Sequence, residues 1–169
     1  ALQVLVQEGL ITSEPQKGKH VRQMTGKEIY DSYVVAGILE GAGVAESLPL
    51  WTEANMETFR SVVRQMEGKI SYATKLDELA EIDELFHATL FMACDNTRLV
   101  EMARTSCATI SKYLYYQHWI TMFTPREYAD RHHAVAEAVY SRDVKHVETA
   151  LRDHYKETGL RMAQFGKEA

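Results

Sequence analysis

The sequence predicts an all-α protein, an antiparallel bundle of about six helices behind a short N-terminal hairpin. Two observations predict the bundle. Apolar residues recur at helical spacing from residue 25 nearly to the C-terminus. Caps and breakers divide that stretch into helices joined by short connections. A third observation sets the first 24 residues apart: they alternate β-prone runs with turn residues, so we divide the chain into 1–24 and 25–169.

In the first unit, Ala1 to Gly9 reads as a helix end, with Leu2, Leu5 and Val6 on one face and Gly9 as the stop. Leu10–Ser13 and Lys19–Arg22 are β-prone, and Glu14-Pro15-Gln16-Lys17-Gly18 between them is turn chemistry. Helix end, strand, basic turn and strand are what remains of a winged helix-turn-helix without its first two helices. An irregular arm carrying a hairpin is the plainer alternative.

In the second unit, Thr25 and Glu28 form a capping-box pattern, opening a helix to about Ser47; Pro49 follows. Thr52 caps a second helix to about Gly68. A third is expected from Lys75 to about Cys94, where Asp95-Asn96 breaks it, and a fourth from Thr97 to Trp119. Thr124-Pro125-Arg126-Glu127 is another capping box with proline at the first helical position, opening a fifth helix to about Ser141. The sixth runs from about Asp143 to Gly166.

The chain has 169 residues, 46% of them apolar, which suffices for a full core. No apolar run reads as long enough to span a bilayer, and Gln3, Gln7 and Glu8 interrupt Leu2–Leu10 as a signal peptide. The expectation is a cytoplasmic protein without a membrane partner. Cys94 and Cys107 make no disulfide framework. The net charge of −5 disfavours nucleic-acid binding over the whole surface. Lys17, Lys19, Arg22 and Lys27, however, form a basic stretch free of acids that suits a local phosphate contact.

Polar residues on apolar stripes carry the chemistry. The stripe Leu76, Leu79, 83, Phe86, Leu90 contains Asp83, and His87 shares its face one turn on. A core carboxylate is costly unless it meets a cation or partner. Asp-x-x-x-His offers an oxygen and an imidazole nitrogen from adjacent turns, which is metal-ligand geometry. Tyr128, 132, Val135, Val139 contains His132, and Val147, Leu151, 154, Thr158 contains His154. Pattern alone leaves a metal site and a satisfied polar core side by side, with His133 a rival to His132 from the flank of its stripe. His20, His118 and His146 read as solvated. Three histidines and a carboxylate suit a divalent ion, zinc first, then nickel, manganese or iron. Such a metal retains positions for water or a small carboxylate.

These residues, in this order, resemble the GntR-type bacterial transcription regulators of the FadR subfamily, with their FCD effector domain. The resemblance covers Ala1–Ile11 and Pro15–Val21 (end of the recognition helix, and wing), Tyr33–Glu40, Asp83-Glu84-Leu85-Phe86-His87, Asn96–Leu99, and His132–Ala138 with Asp143 and His154. The Asp83–His87 stretch has one more spacer before Phe than the family motif. The resemblance implies that Asp83, His87, His132 and His154 hold the metal and chooses His132 over His133. It further implies a small carboxylate metabolite as effector, a homodimer, and operator DNA touched here by Lys17, Gly18 and Lys19. One position departs: many members carry arginine where this chain has Ala36. Arg104 and Lys112 are the bases that could take over effector binding, Tyr113, Tyr115 and Tyr116 could supply hydroxyls, and a less charged ligand is the alternative.

Of other functions, a metal-dependent hydrolase or other metalloenzyme is the runner-up. A di-metal bundle wants Glu-x-x-His pairs, and Glu127, Glu137 and Glu148 have no histidine three residues on. A hydrolase wants a base beside the metal water, and Glu84 points off the Asp83 face. We therefore expect a regulator and not an enzyme.

Overall fold

The computed structural model describes residues 2–168. A short helix α1 (Leu2–Gln7) leads into an antiparallel hairpin, β1 (Ile11–Glu14) and β2 (Gly18–Val21), paired in register from Ile11–Val21 to Glu14–Gly18. The turn needs a left-handed backbone at Gly18 (φ 87°), which glycine adopts without steric cost. Then follow α2 (Gly26–Ser47), α3 (Glu53–Ile70), α4 (Ala80–Leu90), α5 (Thr97–Ser106), α6 (Tyr116–Trp119), α7 (Pro125–Tyr140) and α8 (Val144–Ala163).

The helix starts follow from local chemistry. In both capping boxes the threonine hydroxyl accepts from the third helical N–H, while the glutamate accepts from the cap N–H: Thr25 with Glu28, and Thr124 with Glu127. Thr52 makes the same reciprocal cap with Asn55. Two expected helices differ. The third begins as a 3-10 turn (Leu76–Leu79) and stops at Leu90, short of Cys94. The fourth is not continuous to Trp119: α5 stops at Ser106 and the chain passes through a π-helical segment, Thr109–Leu114, before α6. Helical spacing alone does not report a break when apolar residues continue on both sides of it.

α2 is the central helix. Glycines let it approach α8 closely: a Cβ on Gly37 would stand 2.8 Å from Tyr155 Cβ, and one on Gly159 would stand 2.8 Å from Tyr33 Cβ. α7 packs on α8 and on α3, and α3 on α4. The larger core joins Phe59, Phe86, Val135, Val139, Val147 and Leu151, all fully buried. A smaller one joins Met24, Ile29, Tyr33, Ile110 and Met162.

One stretch, Gly26–Leu50, corrects the expectation of no membrane-length run. By length and composition it could cross a bilayer, with a mean hydropathy of 1.2. Half of its most apolar window is buried inside the bundle, and Glu40 lies on its buried side. Its apolarity is that of a helix covered by α8 on one side and α5 on another.

Candidate metal centre

Three helices bring the predicted residues together. α4 supplies Asp83 and His87, α7 supplies His132 and α8 supplies His154. One nitrogen from each of the three histidines lies within 4.8 Å of the other two. Asp83 joins them through its Oδ1, 3.1 Å from His132 Nε2 and 4.0 Å from His87 Nε2. His133 faces away, with Nε2 3.3 Å from Glu67 on α3. His20 sits in the hairpin and bonds to the Lys17 carbonyl, away from this cluster.

The far side of the His132 ring settles which of its nitrogens is free. His132 Nδ1 lies 2.8 Å from the Tyr128 carbonyl, which can only accept, so Nδ1 carries the proton. Burial holds the His132 pKa down, and the imidazole is neutral. Its Nε2 lone pair then faces Oδ1 of Asp83. Burial disfavours charge on Asp83, yet its pKa is held low, the charge of His87 acting against burial. Two lone-pair donors thus stand 3.1 Å apart. A cation between such groups converts repulsion into ligation.

His87 is oriented likewise. Its Nδ1 donates to Glu40 Oε1 at 2.7 Å, leaving Nε2 toward Asp83 and the other imidazoles. Glu40 is buried on α2 and also accepts from the Tyr155 hydroxyl at 2.7 Å. Burial opposes charge on His87, but the charge and hydrogen bond of Glu40, then Asp83, lift its pKa to about 9. Burial pushes His154 far below the usual imidazole range, with the charge of His87 acting the same way, so its ring offers lone pairs. Its Nδ1 is buried without a hydrogen-bond partner among the described residues. An orphaned buried nitrogen, two rings fixed by their outer partners and a facing carboxylate fit a divalent cation.

Two chambers meet at this cluster. The inner one, about 80 Å³, is lined by Asp83 and the three histidines together with Tyr33, Tyr128 and Arg131. The outer one, about 430 Å³, shares Asp83, His87, Cys107, Ser111 and Tyr155 with it. Arg104 and Lys112 both line the outer chamber, as do Tyr116 and Glu84. Lys112 pairs with Glu84 at 2.9 Å. Tyr113 is exposed, and the Tyr115 hydroxyl is bound to the Met24 backbone, so neither serves the chambers.

Sequence reasoning misses several residues here. It uses Glu40 only for its register; an acid among the buried positions 29, 33, 36, 37 and 44 is the available signal. Arg131 lies against the inner chamber with its side chain 11% exposed. It donates to Glu157, to the His154 carbonyl and to Thr158 Oγ1. Its guanidinium sits 4.3 Å from the Phe123 ring centre. No local spacing marks it, since its partners lie on α8.

At the other end, Lys17, Gly18 and Lys19 lie at the exposed tip of the hairpin. Lys17 pairs with Glu14 at 3.0 Å with both side chains largely in solvent, a weak contact that a phosphate can displace.

Comparison with known proteins yields consistent findings. The FCD domain profile matches residues 31–157. The chain is 24% identical over 167 residues to the HTH-type transcriptional repressor RspR of Escherichia coli K12, covering 97% of this chain and 71% of that protein. It is 25% identical over 134 residues to the Nta operon transcriptional regulator of Aminobacter aminovorans, covering 78% of this chain and 60% of that protein. Among solved structures, E. coli McbR/YncC superposes with a TM-score of 0.76 at 15% identity, over 96% of this chain and 77% of that one. A GntR-family regulator from Pseudomonas syringae pv. tomato gives 0.67 at 20% identity, over 97% and 68%.

Proposed function

The chain belongs to the FCD domain family of GntR-type transcription regulators, and from that premise we propose that it senses a small organic acid through a metal and passes the signal to operator DNA. Asp83, His87, His132 and His154 hold a divalent metal, zinc foremost. The metal supplies a Lewis-acidic anchor for a carboxylate oxygen. The effector's remainder occupies the outer chamber, where Arg104 and Lys112 offer positive charge. Arg104 has no acidic partner among the described residues, whereas Lys112 must share itself with Glu84. The hairpin is the wing of a winged helix-turn-helix, with Lys17, Gly18 and Lys19 toward the DNA backbone. As in closed symmetric regulators generally, the working unit is a homodimer.

The observation that carries the reading is the 3.1 Å approach of Asp83 Oδ1 to the free lone pair of His132 Nε2. Metal analysis of the purified protein, with thermal melts before and after chelation, tests it. Bound metal and a chelator-induced drop in melting temperature support it. No metal together with an unchanged melt sinks it.

Nothing favours the hydrolase reading. A metal water needs an adjacent free base. Glu40 is committed to His87 and Tyr155, and Glu84 to Lys112.

A further inference from the structure

We propose that the Tyr33 hydroxyl is the hydrogen-bond donor that recognises an oxygen of the effector's metal-held end. It deepens, and rests on, the reading of a metal-anchored organic acid. Tyr33 is 2% exposed, and its hydroxyl is buried with no hydrogen-bond partner among the described residues. It lines the inner chamber together with the three imidazoles. An unpaired buried hydroxyl is destabilising, so its retention calls for an occupant that satisfies it.

The surrounding polar groups do not provide that partner. The Ser111 hydroxyl, close enough to influence Tyr33, donates to the Cys107 carbonyl at 3.2 Å and makes no hydrogen bond of normal geometry with Tyr33. The Tyr155 hydroxyl is given to Glu40. Arg131 is spent on Glu157, the His154 carbonyl and Thr158. Tyr128 also has a hydroxyl without a partner at hydrogen-bond geometry, but its ring lies tilted against His132 with centres 3.9 Å apart, and its hydroxyl is turned toward Asp83 among the metal ligands. Tyr33 stands on another helix, on the α2 face of the chamber.

Nor can Tyr33 swing away. Gly159 admits its Cβ at contact distance, and Ile29 and Met162 pack around it. One turn further along α2, Ala36 is fully buried and brings no polar group. At the inner chamber α2 therefore presents one polar group, the neutral Tyr33 hydroxyl. A chamber of about 80 Å³ accepts a group of carboxylate size, with the larger part of the molecule in the adjoining 430 Å³.

The test is calorimetric titration of acetate, the smallest carboxylate probe, into zinc-loaded wild type and Tyr33→Phe. We expect acetate affinity to fall roughly 10- to 100-fold in the variant. Zinc stoichiometry should be unchanged and the melting temperature unchanged or higher, because the ring is kept and the orphaned hydroxyl removed. Equal acetate affinity in both proteins overturns the proposal while leaving the metal reading intact. So does a variant that loses zinc and melts lower, since that marks a structural hydroxyl. A wild type that takes up no zinc, or no acetate when loaded, removes the underlying reading and the proposal with it. In the wild type, tyrosine labelled with 13C at Cζ reads the contact directly. One resonance, absent from Tyr33→Phe, should shift on acetate addition; a resonance that stays put overturns the proposal.

Discussion

Asp83 Oδ1 and His132 Nε2 stand 3.1 Å apart, each presenting a lone pair to the other, across 49 residues of sequence. The Tyr128 carbonyl fixes this arrangement by taking the only imidazole proton. Asp83→Asn replaces one acceptor with an amide donor of the same shape. In chelator, this variant should be as stable as wild type or more stable, by about 1 kcal/mol, the usual net value of one hydrogen bond. It should also lose its stabilisation by added zinc. Urea melts with and without zinc measure both. A variant that is much less stable in chelator would show that Asp83 has a proton donor, and not a cation, as its natural partner.

Glu40 and Tyr155 form the outer support of His87, with hydrogen bonds of 2.7 Å on each side of the carboxylate. Partners of this kind orient a ligating ring, and their loss typically costs about 10- to 100-fold in metal affinity. Glu40→Gln is expected to fall in that range in competition with a chromophoric chelator. Unchanged zinc affinity would mean that packing alone orients His87.

Gly159 is the point where α8 touches Tyr33. A methyl there would lie 2.8 Å from Tyr33 Cβ, so Gly159→Ala must push α2 and α8 apart. Overpacking of this kind costs about 1–3 kcal/mol. The same substitution at Gly68, where nothing lies within 4 Å, serves as the control and should be neutral or better. Equal denaturation midpoints for the two variants would contradict the close approach.

Lys17 and Lys19 are exposed at the hairpin tip. On the proposed regulator reading, replacing either with alanine should weaken operator binding about equally across sequences. The slope of log affinity against log salt should become shallower by about 1 for each phosphate that is no longer neutralised. An unchanged slope would place the wing away from the DNA.

The parts of the fold that are legible in the sequence are those encoded within a few residues. Thr25 with Glu28 and Thr124 with Glu127 announce helix starts because the hydrogen bonds that make the cap lie three residues apart. The clustering of His87, His132 and His154 is legible because each interrupts an apolar stripe, and stripes face a common interior. What escapes depends on distant chain. Glu40 meets Tyr155 across 115 residues, and Arg131 meets Thr158 on another helix. The break after Ser106 escapes because the apolar pattern continues through it.

That break has a consequence for how such a cavity changes. Each residue of an α-helix rotates the chain by about 100°. A π-helical stretch like Thr109–Leu114 takes up an additional residue within one widened turn. Here that turn carries Ser111 and Lys112, two of the groups that face the chambers. Gain or loss of a single amino acid in this segment would re-aim both side chains while leaving the capped start of α7 in place. A one-codon insertion or deletion is thus a route by which the same scaffold could exchange one chemical signal for another.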